Sequence, residues 1–517
     1  MNADFHLSRR QLLQATAAVA TTSLIWGSDV AFAAPTKGGT LRVGWGEVQA
    51  GEKLDPISAK NGASMPLVWT IFEPLVRRKP DFTLEPCLAE SWEYDAKALE
   101  WTFKLRQGVK FHDGTEFGAD DVFYTLSRHM DPAAGSAMHS RYVQSFDFSG
   151  VTAPDAHTIK IKLKKPDTLL PFGFTSWYAS IVKKGTVPTT EVETAIGTGP
   201  FKLVSFEPGQ SWEATRNDDY WNKDVVYLDG IQCIGIPDQN AKIEAVLSGA
   251  VDVVDRINPA KAKELVGNSE VRLMPQRDYV AMLINHDASQ KPFNDQRVRA
   301  AMKLAVDRQM ILDTAFYGLG STTPDVPVPQ SDASYPPDMP VNKPDIAKAK
   351  ALLAEAGYSD GFAYDVYTSP AFPGMVDLAV IFAENMKAIG ITVNVIQWPV
   401  ETYWDQVDMK MPSYVSILGR RLAHDALDVG YAKGGIYNGS KFDSDGKLRE
   451  LITEAMGEPD QSKQKEMYAA ALRRVGEESA QIIPVYAHQN YLVHRSVEGT
   501  IFVVDEPASL APLSKKA

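Results

Sequence analysis

Cysteine is almost missing from this chain: two residues, Cys87 and Cys233, in 517. That excludes a disulfide-stapled scaffold and any Cys-x-x-Cys redox or zinc site. Spacing alone leaves open whether the two pair or lie apart as buried thiols. Excess positive charge is missing too. The net charge is −12, which argues against nucleic acid or an anionic membrane surface as a partner and otherwise fits plain solubility. Catalytic signatures are absent. There is no Gly-x-Ser-x-Gly elbow, no His-Glu-x-x-His pair and no P-loop, and the two close glycines of "GWGEVQAG" (44–51) lack dinucleotide spacing. Nine histidines are scattered without an i, i+4 pair, so neither a metal nor a cofactor is expected. An enzyme is not expected. A hydrolase would need a nucleophile–base pair that the sequence does not announce.

No apolar run is long enough to span a membrane, which takes about 20 residues. The N-terminus instead carries "SRRQLLQ" (8–14), then the weakly apolar "ATAAVATTSLI" (15–25), then "AFA" (31–33). This is the order of an export signal, and the twin arginines resemble the twin-arginine type. Residues 1–33 are therefore expected to be removed. No cysteine near the cleavage site offers a lipid anchor, so a periplasmic, unanchored product is expected.

At 517 residues the chain should form more than one domain. Strand and helix signals alternate along it. "HTIKIKLKKP" (157–166) puts Ile159, Ile161 and Leu163 on one face and lysines on the other. "FNDQRVRAAMKLAVDRQMILDTAF" (293–316) predicts one helix capped by Asn294, with a stripe from Val298 to Val306. "KPDIAKAKALLAEAG" (343–357) predicts a helix stopped at Gly357, and "MVDLAVIFAENMKAIG" (375–390) a helix leading into the strand "ITVNVIQW" (391–398). The mixture reads as α/β.

Several stretches, in order, resemble one family: "KGGTLRVG", "IFEPLVR" (71–77), "CLAESWE" (87–93), "WTFKLRQGVKFHDGTEFGADDVFYT" (101–125), "GTGPFKL" (197–203), "KIEAVLSGAVDVV" (242–254), "PFNDQRVRAAMKLAVDR" (292–308) and "AKALLAEAGY" (349–358). They are similar to the peptide/nickel/opine class of solute-binding proteins of ABC importers, over roughly residues 38–500. The resemblance implies a two-lobed periplasmic binding protein of type II (cluster C), with an extra N-terminal subdomain in lobe I. It would place lobe I at 34–280, lobe II at 281–486, and a C-terminal return to lobe I at 487–517. The chain would cross between lobes near Tyr279–Leu283 and return near Pro484–Ala487. It implies a small-molecule ligand trapped by hinge closure and an inner-membrane permease as partner; a monomer is expected. The motifs themselves read as turns and helix starts that mark the fold without naming the ligand.

One stretch departs from the pattern. "SILGRRLAHDALD" (416–428) brings two arginines out of an apolar strand at Gly419. Peptide-binding relatives end this strand in Trp-x-Ala/Gly-Asp, whose acid holds the ligand's amine. Here the corresponding residues are Ile417-Leu418-Gly419-Arg420, so a base stands where the acid would be. A guanidinium presents a planar donor fork that fits a carboxylate or phosphate. Arg420 would meet a ligand anion, an internal acid such as Glu47, Asp425 or Asp428, or solvent. Arg421 would face away if the strand continues. By analogy of position, Trp45, Glu47, Tyr279, Trp398, Arg420, Tyr437 and Asn438 are the candidate ligand-binding residues, each aromatic being equally open to core packing. The expected ligand is small, polar and carboxylate-bearing: an opine, an amino-acid derivative or a sugar acid. A di- or oligopeptide or a metal chelate is the alternative.

Overall fold

A computed structural model describes residues 36–46, 51–59, 64–79, 82–95, 97–341, 343–499 and 513–515. The expected export signal and Glu47 lie outside these. Among the described residues no helix is long and apolar enough to cross a membrane.

The largest sheet contains, in chain order, β1 (Thr40–Trp45), β2 (Phe201–Glu207), β3 (Ser211–Arg216), β4 (Gly230–Gly235), β5 (Val253–Val254), β6 (Val271–His286), β7 (Gly320–Thr322), β8 (Phe362–Thr368), β9 (Ile391–Gln397), β10 (Ser413–Gly419) and β11 (Ile482–His494). Their spatial order is β9-β8-β10-β6-β11-β5-β1-β4-β3-β2, with β7 also on β11. Strands from before residue 260 thus lie on one side of β11 and strands from after 270 on the other. The β6–β11 pairing is antiparallel and shifts register between Gln276 and Val280. Tyr279 to Leu283 lies in β6, and Pro484 to Ala487 lies in β11. A separate antiparallel sheet holds the strands Ala89–Tyr94, Glu100–Leu105, Thr158–Leu163 and Phe146–Asp155.

Local pattern explains most elements. Ile159 and Ile161 are fully buried and Leu163 nearly so, as the alternation requires. β8 and β9 run parallel, and the helix Met375–Lys387 makes the crossover between them. The helix Ile346–Glu355 starts at Asp345, whose carboxylate accepts the Lys348 N–H at 2.9 Å. One expectation fails. Residues 293–316 form two helices, Gln296–Ala305 and Arg308–Ala315, because Val306 is extended and Asp307 caps the second through Met310 N–H. Asp295, not Asn294, caps the first, accepting from Arg297 N–H.

Separate cores sit on the two sides of β11. One gathers Leu41, Val43, Phe201, Ile231 and, from the C-terminal end, Tyr491, Val493, Val497 and Leu513. Another gathers Met282, Ile284, Val298, Phe382 and Ile391. Buried Glu73 ties four distant segments together. It accepts from Arg77 Nη2 (2.7 Å), Thr198 Oγ1 (2.9 Å), Tyr220 OH (2.7 Å), Trp221 Nε1 (3.0 Å) and Cys87 Sγ (3.5 Å). Gly197 beside it leaves no room for a side chain, since a Cβ there would stand 1.9 Å from the Ile71 carbonyl oxygen. Cys87 and Cys233 are both free and buried, which decides the pairing question for thiols.

Candidate ligand site

The apolar run before Gly419 is the buried strand β10, paired antiparallel with β6 so that Ser416 faces Leu283 and Tyr414 faces Asn285. β10 ends at Gly419, and the helix Ala423–Gly430 follows at once. The two-residue period therefore assigns no faces to the arginines. Arg420 N–H still donates to the Tyr279 carbonyl at 2.8 Å. Its guanidinium lies over the Phe82 ring, 4.3 Å from the centroid, and donates to Ser331 Oγ at 3.1 Å. Arg421 turns the other way. Its Nη1 donates to Asp425 Oδ2 at 2.7 Å, four residues on in the helix, and its guanidinium lies 5.7 Å from the Tyr437 ring centroid. Arg141 approaches the same carboxylate to 3.9 Å. Burial alone would raise the Asp425 carboxyl, but the two guanidiniums outweigh it and hold it well below the usual carboxylate range. Burial pushes neighbouring His424 down to about 4.

A cavity of about 190 Å³ opens beside Arg421. Leu283 and Asn285 of β6, Ser416 to Gly419 of β10, Trp404, Asp408 and Met409, Tyr437, and Gln481 line it. Asp408 accepts from Ser416 Oγ at 2.7 Å, and burial raises its carboxyl above the usual range. Asn285 and Gln481 are only 3% and 2% exposed, yet Asn285 Oδ1 and Gln481 Oε1 accept no hydrogen bond. Trp404, Met409 and Tyr437 stay 42%, 37% and 44% exposed. Among the described residues no three His, Cys, Asp or Glu side chains converge to hold a metal.

Of the candidates drawn from sequence, Tyr437 lines this cavity. Arg420 does not; Arg421, expected to face away, does. Trp45 ends β1 inside the first core, its indole N–H unpartnered. Trp398 is half-buried, donates to Thr402 Oγ1 at 3.1 Å and packs edge-on against Tyr367. Asn438 closes its own loop, donating to the Tyr431 and Ala432 carbonyls. Sequence reasoning missed Asn285, Trp404, Asp408 and Gln481. Asn285 left one trace, a polar residue inside the apolar run "YVAMLINH" (279–286), where β6 is otherwise core. Asp408 and Gln481 left none.

The family model for bacterial extracellular solute-binding proteins, family 5, matches residues 83–426. Heme-binding protein A of Haemophilus influenzae is 28% identical over 444 residues, 78% of this chain and 79% of that protein. Glutathione-binding protein GsiB of Shigella flexneri is 27% identical over 357 residues, 66% of each chain. The solved structure of the PBP AgaA from A. tumefacien in complex with agropinic acid superposes with a TM-score of 0.75 at 26% identity, covering 93% of this chain and 99% of that one.

Proposed function

Because the chain belongs to the bacterial extracellular solute-binding proteins, family 5, and so serves an ABC importer, we propose that it captures a small polar ligand bearing a carboxylate, with Arg421 as the anion's partner. The ligand class is that of an opine, an amino-acid derivative or a sugar acid. Two relatives are named for heme and for glutathione and a third is solved with agropinic acid, so shared fold does not choose the ligand and the residues must. The observation that carries the reading is the Arg421 fork in the wall of a cavity that also presents aromatic surface. Asp425 holds that fork in place, and a carboxylate can share it.

Capture proceeds by closure of two lobes about β6 and β11, with Arg420 stacking across the closure on Phe82. The closed form docks on the permease. The N-terminal 33 residues direct export to the periplasm. A peptide is the second reading. It is favoured by Asp408, a carboxylate in the cavity lining that suits an amine.

The test is mass spectrometry of the solute released on denaturing the purified protein, followed by calorimetry with that solute. Arg421→Ala should weaken binding by about 2–4 kcal/mol, from loss of a charged partner in a part-buried site. Arg420→Ala should cost much less. Equal affinity for wild type and Arg421→Ala would remove the carboxylate from this position.

A further inference from the structure

Away from the cavity, one short segment bridges distant parts of the chain, and the inference drawn from it rests on the solute-binding reading above. We propose that Thr168 is a positioning residue that clasps the closed form. It caps the end of a helix from the second half of the chain, so the separate antiparallel sheet sets affinity without touching the solute.

Thr168 is held out by its own side. Asp167 before it donates its N–H to the Ala98 carbonyl at 3.1 Å, and its own carbonyl accepts from Trp101 Nε1 at 2.8 Å. Both partners lie in the hairpin that pairs Ala89–Tyr94 with Glu100–Leu105 in the separate sheet. Opposite stands the C-terminal end of the helix Lys447–Met456. Thr168 N–H and Oγ1 both donate to the Met456 carbonyl, at 2.9 and 3.2 Å. Gln464 Nε2, from the next helix, Gln461–Glu478, donates to Thr168 Oγ1 at 2.9 Å and to the Ala455 carbonyl at 2.8 Å. The last carbonyls of a helix have no partner within it. A segment 288 residues earlier in the chain thus supplies the cap. A Cβ at Gly457 would stand 3.1 Å from Pro166 Cβ, so glycine there lets the two segments approach. Leu169 adds an apolar contact to the core that contains Leu427 and Leu472.

Three further contacts join residues before β2 to residues after β10. Arg420 lies on Phe82, Arg141 approaches Asp425, and the Phe172 ring centroid is 6.0 Å from that of His424. Contacts this few and this polar have the character of an interface between domains that move. Thr168 and Met456 are both half-buried. Water can replace Thr168 on the Met456 carbonyl when the two sides part, so opening strands no polar group. Such a contact stabilises the closed form alone and shifts the population toward it.

Spin labels report the separation of the two sides. They are placed at Glu93→Cys on the separate sheet and at Lys350→Cys on the helix Ile346–Glu355, both exposed. The native cysteines are buried, so the labels go to the introduced thiols. Distances are measured on protein stripped by denaturation and refolding, then during titration with deproteinised extract of host cells. At the dilution that closes half of the otherwise wild-type protein, Thr168→Val should be only about one-tenth closed, the tenfold change expected for losing a hydroxyl contact and leaving Gln464 without its acceptor. Thr168→Ser, which restores the hydroxyl, should close as wild type does. Stripped Thr168→Val should keep the wild-type urea midpoint, because the open form does not use the contact. Equal closure of Thr168→Val and wild type would overturn the inference and leave solute-driven closure in place. So would a lowered midpoint of the stripped variant, which would make Thr168 part of a permanent interface. A wild-type label separation that no extract changes would remove the closure reading itself, and this inference with it.

Discussion

Glu73 shows how much a single side chain can hold. Its carboxylate is fully buried and receives donors from residues 77, 87, 198, 220 and 221. Arg77 supplies the opposite charge at 2.7 Å. Removing the carboxylate leaves a hydroxyl, a phenol and an indole N–H without their acceptor, and leaves the part-buried Arg77 guanidinium with only the Tyr220 hydroxyl beside it. Glu73→Ala is therefore expected to cost about 3–5 kcal/mol, read as a fall in the urea midpoint. Ligand affinity of the folded fraction should stay unchanged, because none of these groups lines the cavity beside Arg421. A midpoint within experimental error of wild type would show that water replaces the carboxylate.

At the scale of elements, amphipathic period was legible and its interruptions were not. The helix Ile346–Glu355 begins and ends at Asp345 and Gly357 as the Pro-Asp start and Gly stop indicate. The alternating strand Thr158–Leu163 is where its isoleucines place it. The stretch 293–316 misled because Val298, Ala301, Met302 and Ala305 and then Ile311, Leu312 and Ala315 bury into the same core, so one stripe hides two helices. Asp307 was the missed stop signal. Asp307→Ala should destabilise by about 1 kcal/mol through loss of the cap on Met310 N–H, measured as a lowered urea midpoint with no change in slope. The site was less legible still. Resemblance leads to the end of β10 and to Tyr437, but the turn after Gly419 reverses the two arginines. Asn285, Asp408 and Gln481 come from three separate segments that only the sheet brings together.

The molecule as a whole carries an acid sensitivity. Burial holds His112, His286 and His424 down at about 4 and His129 at about 3, against an ordinary value near 6.5. The unfolded chain binds protons at these histidines first, so their contribution is whole above pH 6.5 and is lost as pH falls toward 4. Urea midpoints should drop steadily from pH 7 to pH 5. A flat profile over that range would mean that the four rings titrate freely. Sheet order sets a further condition on the whole chain, one that concerns its synthesis. β11, made of residues 482–494, lies between β5 and β6 and joins strands from both halves. A ribosome delivers it after every other strand of that sheet. Until then β5 and β6 have no neighbour between them, and both stay exposed along one edge. The nascent protein is thus a two-part chain with an open seam for most of its translation. Its last large strand acts as the closing step of folding.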